Sequence, residues 1–406
     1  MRRLCLLPLT ALALGLVLWT AGLEAVQDPI PPIEVHRITD TLHMLGSGME
    51  TGGNIAVLVA ESGVVLVDTK NEGYGPTILD LVRQITYKPV TMIINTHVHY
   101  DHSGANTEFP DTVQFVAHEN IRRHWARTDC QPTPTNCDDF QGENRKYLPK
   151  TTFNDRLSLF TGTPDQIDLY YFGRGHTDGD TFVVFKEART MHVGDMFLGK
   201  TLPFIDAENG NGGSAIEFGR TLTKVIDNVR DVDTIINGHW NTLLTWSDLV
   251  DYRGFYMDLY DQTRRSLDIG LSPEEAIAAY EKPARYSEFA ANKGAGAFTV
   301  NSIVNYIYQG ILRSSQADGP GHDREPVHRP TDRTRPGGRA RPSGGQQAAF
   351  QLSGPHRTQS TATSSTLARL NHRRSRAASM RRSCSRIQTA IRATDSRGRR
   401  KGCSAR

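Results

Sequence analysis

Apolar and polar positions along the chain follow two periods, and the changes between them divide its middle into elements. Residues 35–45 alternate and predict a first strand. Residues 54–60 and 64–68 are apolar runs separated by Glu61-Ser62-Gly63, which predicts a hairpin. Residues 77–85 change to helical spacing, with Ile78, Leu81, Val82 and Ile85 on one face. Residues 90–95 are continuously apolar and β-branched, as in a strand buried on both faces. Another strand is expected over 113–118, with His118 opening a helix through Glu119 and Asn120, a structural role for that histidine. Residues 122–150 have no period and read as an irregular insertion of the kind that shapes substrate access. Further strands are expected over 167–172, 181–185, 190–195 and 231–237. Helices are expected over 215–229, 247–269 and 300–312, and from Ser272-Pro273-Glu274-Glu275, which has a cap, a first-position proline and a third-position glutamate. The aromatic face of the 247–269 segment reads as core. The β-β-α-β start implies a mixed sheet with helices on its outside, an α/β fold.

Composition changes this picture at the two ends. Met1-Arg2-Arg3 and the apolar run 4–19, followed by Ala21, Gly22 and Ala25, predict a cleaved signal peptide over residues 1–25. A periplasmic or secreted protein without a stable membrane span follows. Folded chain is then expected over 26–313. After Arg313 the period stops, and the segment has twenty basic and five acidic residues. It therefore carries +15, and the rest of the chain −12, of the net +3. Three readings of this 314–406 tail stay open: a disordered polybasic arm, a solvated extension, or a stretch translated out of frame from a GC-rich gene. Its single aromatic residue, Phe350, does not give the repeated interleaving with arginine that base stacking requires, and no nucleic-acid partner is expected of the folded domain. Cys130 and Cys137 bracket a proline-containing loop and suit a disulfide, in keeping with export. Cys5 falls in the leader, and Cys384 and Cys403 in the tail.

Candidate chemistry lies where strands end. Thr96-His97-Val98-His99-Tyr100-Asp101-His102-Ser103-Gly104 follows the buried 90–95 run. On extended backbone His97 and His99 share a face, while Asp101 and His102 lie in the turn and can aim at a second point. Nitrogen and carboxylate donors this close suit a borderline metal such as zinc. Three later strands each deliver one more donor beside a glycine: His176 after Gly175, Asp195 after Gly194 and His239 after Gly238. Asp68 ends a strand and reads either as an outer carboxylate orienting the histidine loop or as a strand-end cap.

Together His97, His99, Asp101, His102, His176, Asp195 and His239 resemble the ligand set of the metallo-β-lactamase superfamily. The resemblance extends to Gly-Gly-Asn at 52–54, Leu-Val-Asp-Thr at 66–69, Gly-His-Thr-Asp-Gly-Asp-Thr at 175–181 and His-Val-Gly-Asp-Met-Phe at 192–197. The last two are similar to an exported subgroup associated with quinoprotein and sulfur-oxidation genes. The resemblance implies an αβ/βα four-layer sandwich. It implies a first metal on His97, His99 and His176, a second on Asp101, His102 and His239, and Asp195 bridging both, with Asp101 also catalytic. Asp68 and Asp180 would form the outer support. Where relatives commonly carry Gly-His-Gly-Pro, this chain has Gly238-His239-Trp240-Asn241, and Trp240 would narrow the pocket. Tyr100, Lys200 and Arg174 are candidates for holding an anionic group of a small-molecule substrate.

The implied function is a two-zinc hydrolase. Two ions ~3.5–4 Å apart share a water, lower its pKa toward roughly 7, and direct the hydroxide at an ester, thioester, lactone or β-lactam carbonyl. Neutral imidazoles are needed, so acid should abolish activity. Asp195 favours glyoxalase-like thioesterases, lactonases and phosphodiesterases over dedicated β-lactamases, which generally lack it. The alternative is a persulfide dioxygenase with a single iron. Flavin-linked relatives carry a carboxylate where this chain has His99, and a tRNA-processing nuclease would have no leader. Oligomeric state is not legible.

Overall fold

The computed structural model describes residues 32–317 except Ser47 and residues 131–136, with side chains as far as Arg313. The leader expected over 1–25 lies outside the described residues. So does the Arg-rich tail, apart from the helical backbone of 314–317. The chain divides into two units, Met1–Ile311 and Leu312–Arg406, and the architecture below is that of the first.

Thirteen strands among the described residues form two sheets. The seven-stranded sheet runs in chain order from β1 (Glu34–Arg37) through β2 (Leu42–Gly46), β3 (Ile55–Ala60), β4 (Gly63–Val67), β5 (Val90–Ile94) and β6 (Gln114–His118) to β7 (Thr151–Phe153). Its first four strands are antiparallel, and β4 to β7 are parallel. The six-stranded sheet has the order β13 (Leu244–Thr245), β12 (Thr234–Ile236), β11 (Thr190–His192), β10 (Phe182–Phe185), β9 (Ile167–Tyr170), β8 (Arg156–Leu159).

The period-2 alternation decides which core each side chain enters. On β4, Val65 and Val67 face the layer between the sheets, whereas Val64 and Leu66 face outward under the helix Gly75–Ile85. On β10, Val183 and Phe185 meet that same central layer, and Phe182 and Val184 face the opposite way. There they pack under the helices Phe218–Asn228, Trp246–Asp268, Pro273–Ala279 and Val300–Ala317. Three apolar layers thus separate helix, sheet, sheet and helix: a four-layer αβ/βα sandwich. The aromatic residues Tyr252, Phe255, Tyr256 and Tyr260 are buried in the outermost of these cores.

The expected single strand over 35–45 is two strands. β1 and β2 pair antiparallel about a turn in which Thr39 Oγ1 accepts from the amides of Thr41 and Leu42. The alternation continues across that turn, and this hid it. Strands β7, β8 and β13 have no counterpart in the sequence reading. They have three, four and two residues, too few for a period to register. Residues 119–125 continue as a helix into the expected insertion, capped by His118 Nδ1, which accepts from the Asn120 amide at 3.2 Å. Cys130 and Cys137 are bridged. The helix Trp246–Asp268 starts on a capping box between Thr245 and Asp248, and Pro273–Ala279 on one between Ser272 and Glu275.

Candidate metal centre

Five segments meet at one edge of the sandwich. The turn after β5 carries His97, His99, Asp101 and His102; the loop before β10 carries His176; the turn after β11 carries Asp195; and the turn after β12 carries His239. The loop 206–213 supplies Asp206. Their ligand-type atoms form three groups, each with all members within 4.8 Å of one another: His97, His99 and His176; His97, His102 and Asp195; Asp101, His102 and His239. Asp195 Oδ2 is 3.2 Å from His239 Nε2 and 3.6 Å from His176 Nε2, so this carboxylate stands between the two outer groups. Its other oxygen lies 3.2 Å from His102 Nε2.

Outer partners settle which nitrogen of each ring faces inward. Asp68 Oδ2 accepts from His102 Nδ1 at 2.7 Å, which turns Nε2 to the centre. Asp206 Oδ2 accepts from His99 Nε2 at 2.7 Å, which turns Nδ1 to the centre, 2.9 Å from His176 Nε2. The Phe204 carbonyl accepts from His176 Nδ1 at 2.8 Å. Thr96 Oγ1 gives its single proton to Asp68 Oδ2 at 2.7 Å, so it accepts from His97 Nδ1 at 3.0 Å. His97 Nε2 is left pointing inward, buried and without a partner. An orphaned buried acceptor costs about 1–3 kcal/mol unless a cation occupies the cavity. The donor set and this orphan fit divalent metal ions.

The charges agree. Burial opposes a proton on His102, yet the nearby carboxylates of Asp195, Asp68 and Asp101 raise its pKa well above the ordinary value. Burial opposes charge on Asp195 too, but His239 and His102 hold its carboxyl well below the usual range. His99 is raised, despite burial, by its bond to Asp206. His97 falls well below the ordinary value and His176 falls to about 4, chiefly through burial. The centre is a negative well that holds positive charge on some rings and keeps others neutral.

Close approach explains the glycines. A Cβ on Gly53 would enter the His102 ring, and one on Gly238 would enter Asp195 Oδ1. Gly52, at φ 92°, leaves no room for a side chain against the Asp101 carbonyl. Beneath this loop lies the fully buried Lys70, whose Nζ donates to the Gly53 carbonyl at 2.9 Å and the Thr51 hydroxyl at 3.3 Å. Burial lowers its pKa to about 7.

The other candidates are placed as follows. Asp180 does not bond an imidazole; it accepts from the Thr177 amide and hydroxyl, at 3.0 and 2.6 Å, and shapes the loop after His176. Burial pushes its pKa up to about 7 against those bonds. Trp240 is half-buried beside His239, its amide on Asn237 Oδ1 at 2.6 Å. Tyr100 is half-buried at the start of the short helix Tyr100–Ser103. Lys200 pairs with Glu288, and Arg174 donates to the Gly212 carbonyl at 2.7 Å and pairs with Glu217 at 3.5 Å.

Sequence reasoning missed Asp206, Lys70, Trp125 and the role of Thr96. Trp125 Nε1 donates to the Val98 carbonyl at 3.1 Å and so braces the histidine strand end from behind. Asp206 opens Asp-Ala-Glu-Asn-Gly-Asn-Gly-Gly, a turn-forming stretch whose lone early aspartate was the available signal.

A family model described as the metallo-beta-lactamase superfamily matches residues 48–244. The 2,4-dinitroanisole O-demethylase subunit alpha of Nocardioides sp. (strain JS1661) is 30% identical over 116 residues, 28% of this chain and 31% of that protein. The chain thus spans less than a third of the length of that relative. A stereoselective inverting sec-alkylsulfatase from Pseudomonas sp. superposes with a TM-score of 0.55 at 16% identity, covering 72% of this chain and 52% of that one. A metallo-beta-lactamase from Pontibacter korlensis gives 0.44 at 17% identity, covering 56% and 99%. No helix among the described residues is long and apolar enough to cross a membrane.

Proposed function

We propose that this chain, which belongs to the metallo-β-lactamase superfamily through residues 48–244, is an exported two-zinc hydrolase of esters, thioesters, lactones or β-lactams. The observation that carries the reading is the pair of complete donor groups joined by Asp195. His97, His99 and His176 would hold one ion, Asp101, His102 and His239 the other, and Asp195 would reach both. Ions held there supply Lewis acidity, which activates a water and stabilises charge growing on the electrophile.

The protein's own part is positioning. Asp68, Asp206, Thr96 and the Phe204 carbonyl each take one nitrogen of a ring, so that the other nitrogen of all four rings is aimed at the centre before anything binds. Asp101 is the most exposed of the donors, at 24%, and is the carboxylate placed to take up a proton on the open side. The second group makes two ions a better reading than the single iron of a dioxygenase. The leader expected over 1–25 and the Cys130–Cys137 bridge support a reaction outside the cytoplasm.

The test is turnover of a panel of p-nitrophenyl acetate, an acyl thioester, a γ-lactone and a β-lactam by the purified chain. Expected is zinc-dependent hydrolysis of at least one, lost with a chelator and restored by zinc. Oxygen consumption with a persulfide and no hydrolysis would replace this reading with the iron enzyme.

A further inference from the structure

Two aromatic residues that the ligand chemistry does not use stand at the three-histidine side of the centre. The Phe204 ring lies 5.6 Å from the His176 ring and 6.2 Å from the His99 ring, centroid to centroid. Phe298 lies 6.1 Å beyond it. Both residues are half-buried. Phe298 has φ 58°, a conformation that bulky residues avoid. It sits at the end of Lys293-Gly294-Ala295-Gly296-Ala297, a loop whose neck is closed by the Val300 amide on the Asn292 carbonyl at 2.8 Å. Thr299 Oγ1 donates to the Gly296 carbonyl at 2.8 Å and fixes the turn. Strain of this kind at a half-buried phenylalanine persists where the position is used.

Charge narrows what the pair would meet. The two cations that sequence offered for an anionic group are committed elsewhere: Lys200 to Glu288, Arg174 to Glu217 and two loop carbonyls. On the same side Asp206 opens a loop that also carries Glu208.

We infer that Phe204 and Phe298 form an apolar wall that receives an aryl or bulky alkyl group of an uncharged substrate, attached next to the carbonyl that is cleaved. This rests on the hydrolase reading and deepens it. Substrates bearing a carboxylate at that position are poorer fits.

The test is calorimetric binding of phenylacetohydroxamate and of the monohydroxamate of succinic acid to the full zinc-loaded chain. The two share a metal-binding head and differ in the group that reaches the wall. Phenylacetohydroxamate should bind about ten-fold tighter, the worth of one buried apolar group. The ratio should fall toward one in Phe204→Ala and Phe298→Gly. Glycine takes φ 58° freely, so Phe298→Gly folds, with a Tm equal to or above that of the parent. Equal affinities, preference for the succinyl compound, binding of neither, or a ratio unchanged in both variants overturns the wall. Turnover of S-methyl thioacetate, neither of whose methyl groups is large enough to reach it, reports on the hydrolase reading separately. An active enzyme with equal affinities loses only the wall; an inactive one that still prefers the aryl compound loses only the hydrolase.

Discussion

The two outer donor groups are built differently. His97, His99 and His176 are all imidazole, and their outer carboxylate, Asp206, comes from an irregular loop far along the chain. Asp101, His102 and His239 include a carboxylate, and their outer partner, Asp68, ends β4 directly beside β5. Asp68 is buried in the sheet edge, bonded also to the Thr96 amide at 2.8 Å. Asp206 is held by two loop asparagines, Asn209 at 2.6 Å and Asn211 at 2.7 Å. The second group is thus preformed by regular structure, and the first depends on a loop keeping its shape.

The largest expected effect comes from the residue shared by both. Asp195→Ala should remove the bridge and lower metal content at both groups, with a loss of activity beyond the roughly 100-fold upper range for outer partners. Metal content equal to the parent's would sink the bridging role.

Next come the outer carboxylates, each tested against the other. Asp206→Asn and Asp68→Asn should each weaken metal affinity about 10–100-fold, since each leaves a ring without its orienting acceptor. Zinc titration of the two variants should show different steps affected, the first group's in Asp206→Asn and the second group's in Asp68→Asn. Loss of the same step in both would erase the distinction drawn here.

A smaller effect is expected from pH on the metal-stripped protein. His176 is lowered to about 4, so between the ordinary 6.5 and about 4 the unfolded chain binds a proton that the folded chain does not. Its contribution is therefore present above pH 6.5 and is lost as pH falls through that window, about 3 kcal/mol in all. His102 is raised, so its contribution is present below 6.5 and lost as pH rises through its folded value. Lys70, lowered to about 7, and Asp180, raised to about 7, act in the opposite sense on the alkaline and acid sides, so the His176 share is read as a difference between stripped parent and stripped His176→Phe: the parent should lose stability relative to the variant between pH 6.5 and about 4. A difference that stays constant across that window would contradict the burial of a neutral His176 ring.

The smallest effect is at the brace behind the histidines. Trp125→Phe deletes the bond to the Val98 carbonyl and keeps the stack on Phe140, whose ring centroid is 4.6 Å away. It should cost about 1 kcal/mol of stability, read by urea unfolding. A cost several times larger would mean that the Trp125 ring itself positions the histidine strand.

The mixed sheet with outer helices and the strand-end position of the donors were legible from strong local signals; the four layers and the division of the donors between two sites came from the resemblance to the superfamily. The continuous run Val90–Ile94 and the glycine-flanked donors each point to a strand end, whatever lies elsewhere in the fold. Asp68 was legible for the same reason. Asp206 was not, because nothing in an aperiodic loop says which distant ring its carboxylate will meet. Lys70 was not legible either, because only the packing of the Gly52–Gly53 loop covers it completely. Phe204 and Phe298 have no period to mark them, and their pairing comes from loops on opposite ends of the second half of the chain.

The claim on which the rest depends is that seven side chains hold two metal ions. The most direct measurement is metal content by mass spectrometry of the purified full chain after zinc loading and desalting, beside His239→Ala. The account predicts two equivalents per chain, falling to about one in the variant. One equivalent or none in the parent chain, or two retained in His239→Ala, would contradict it.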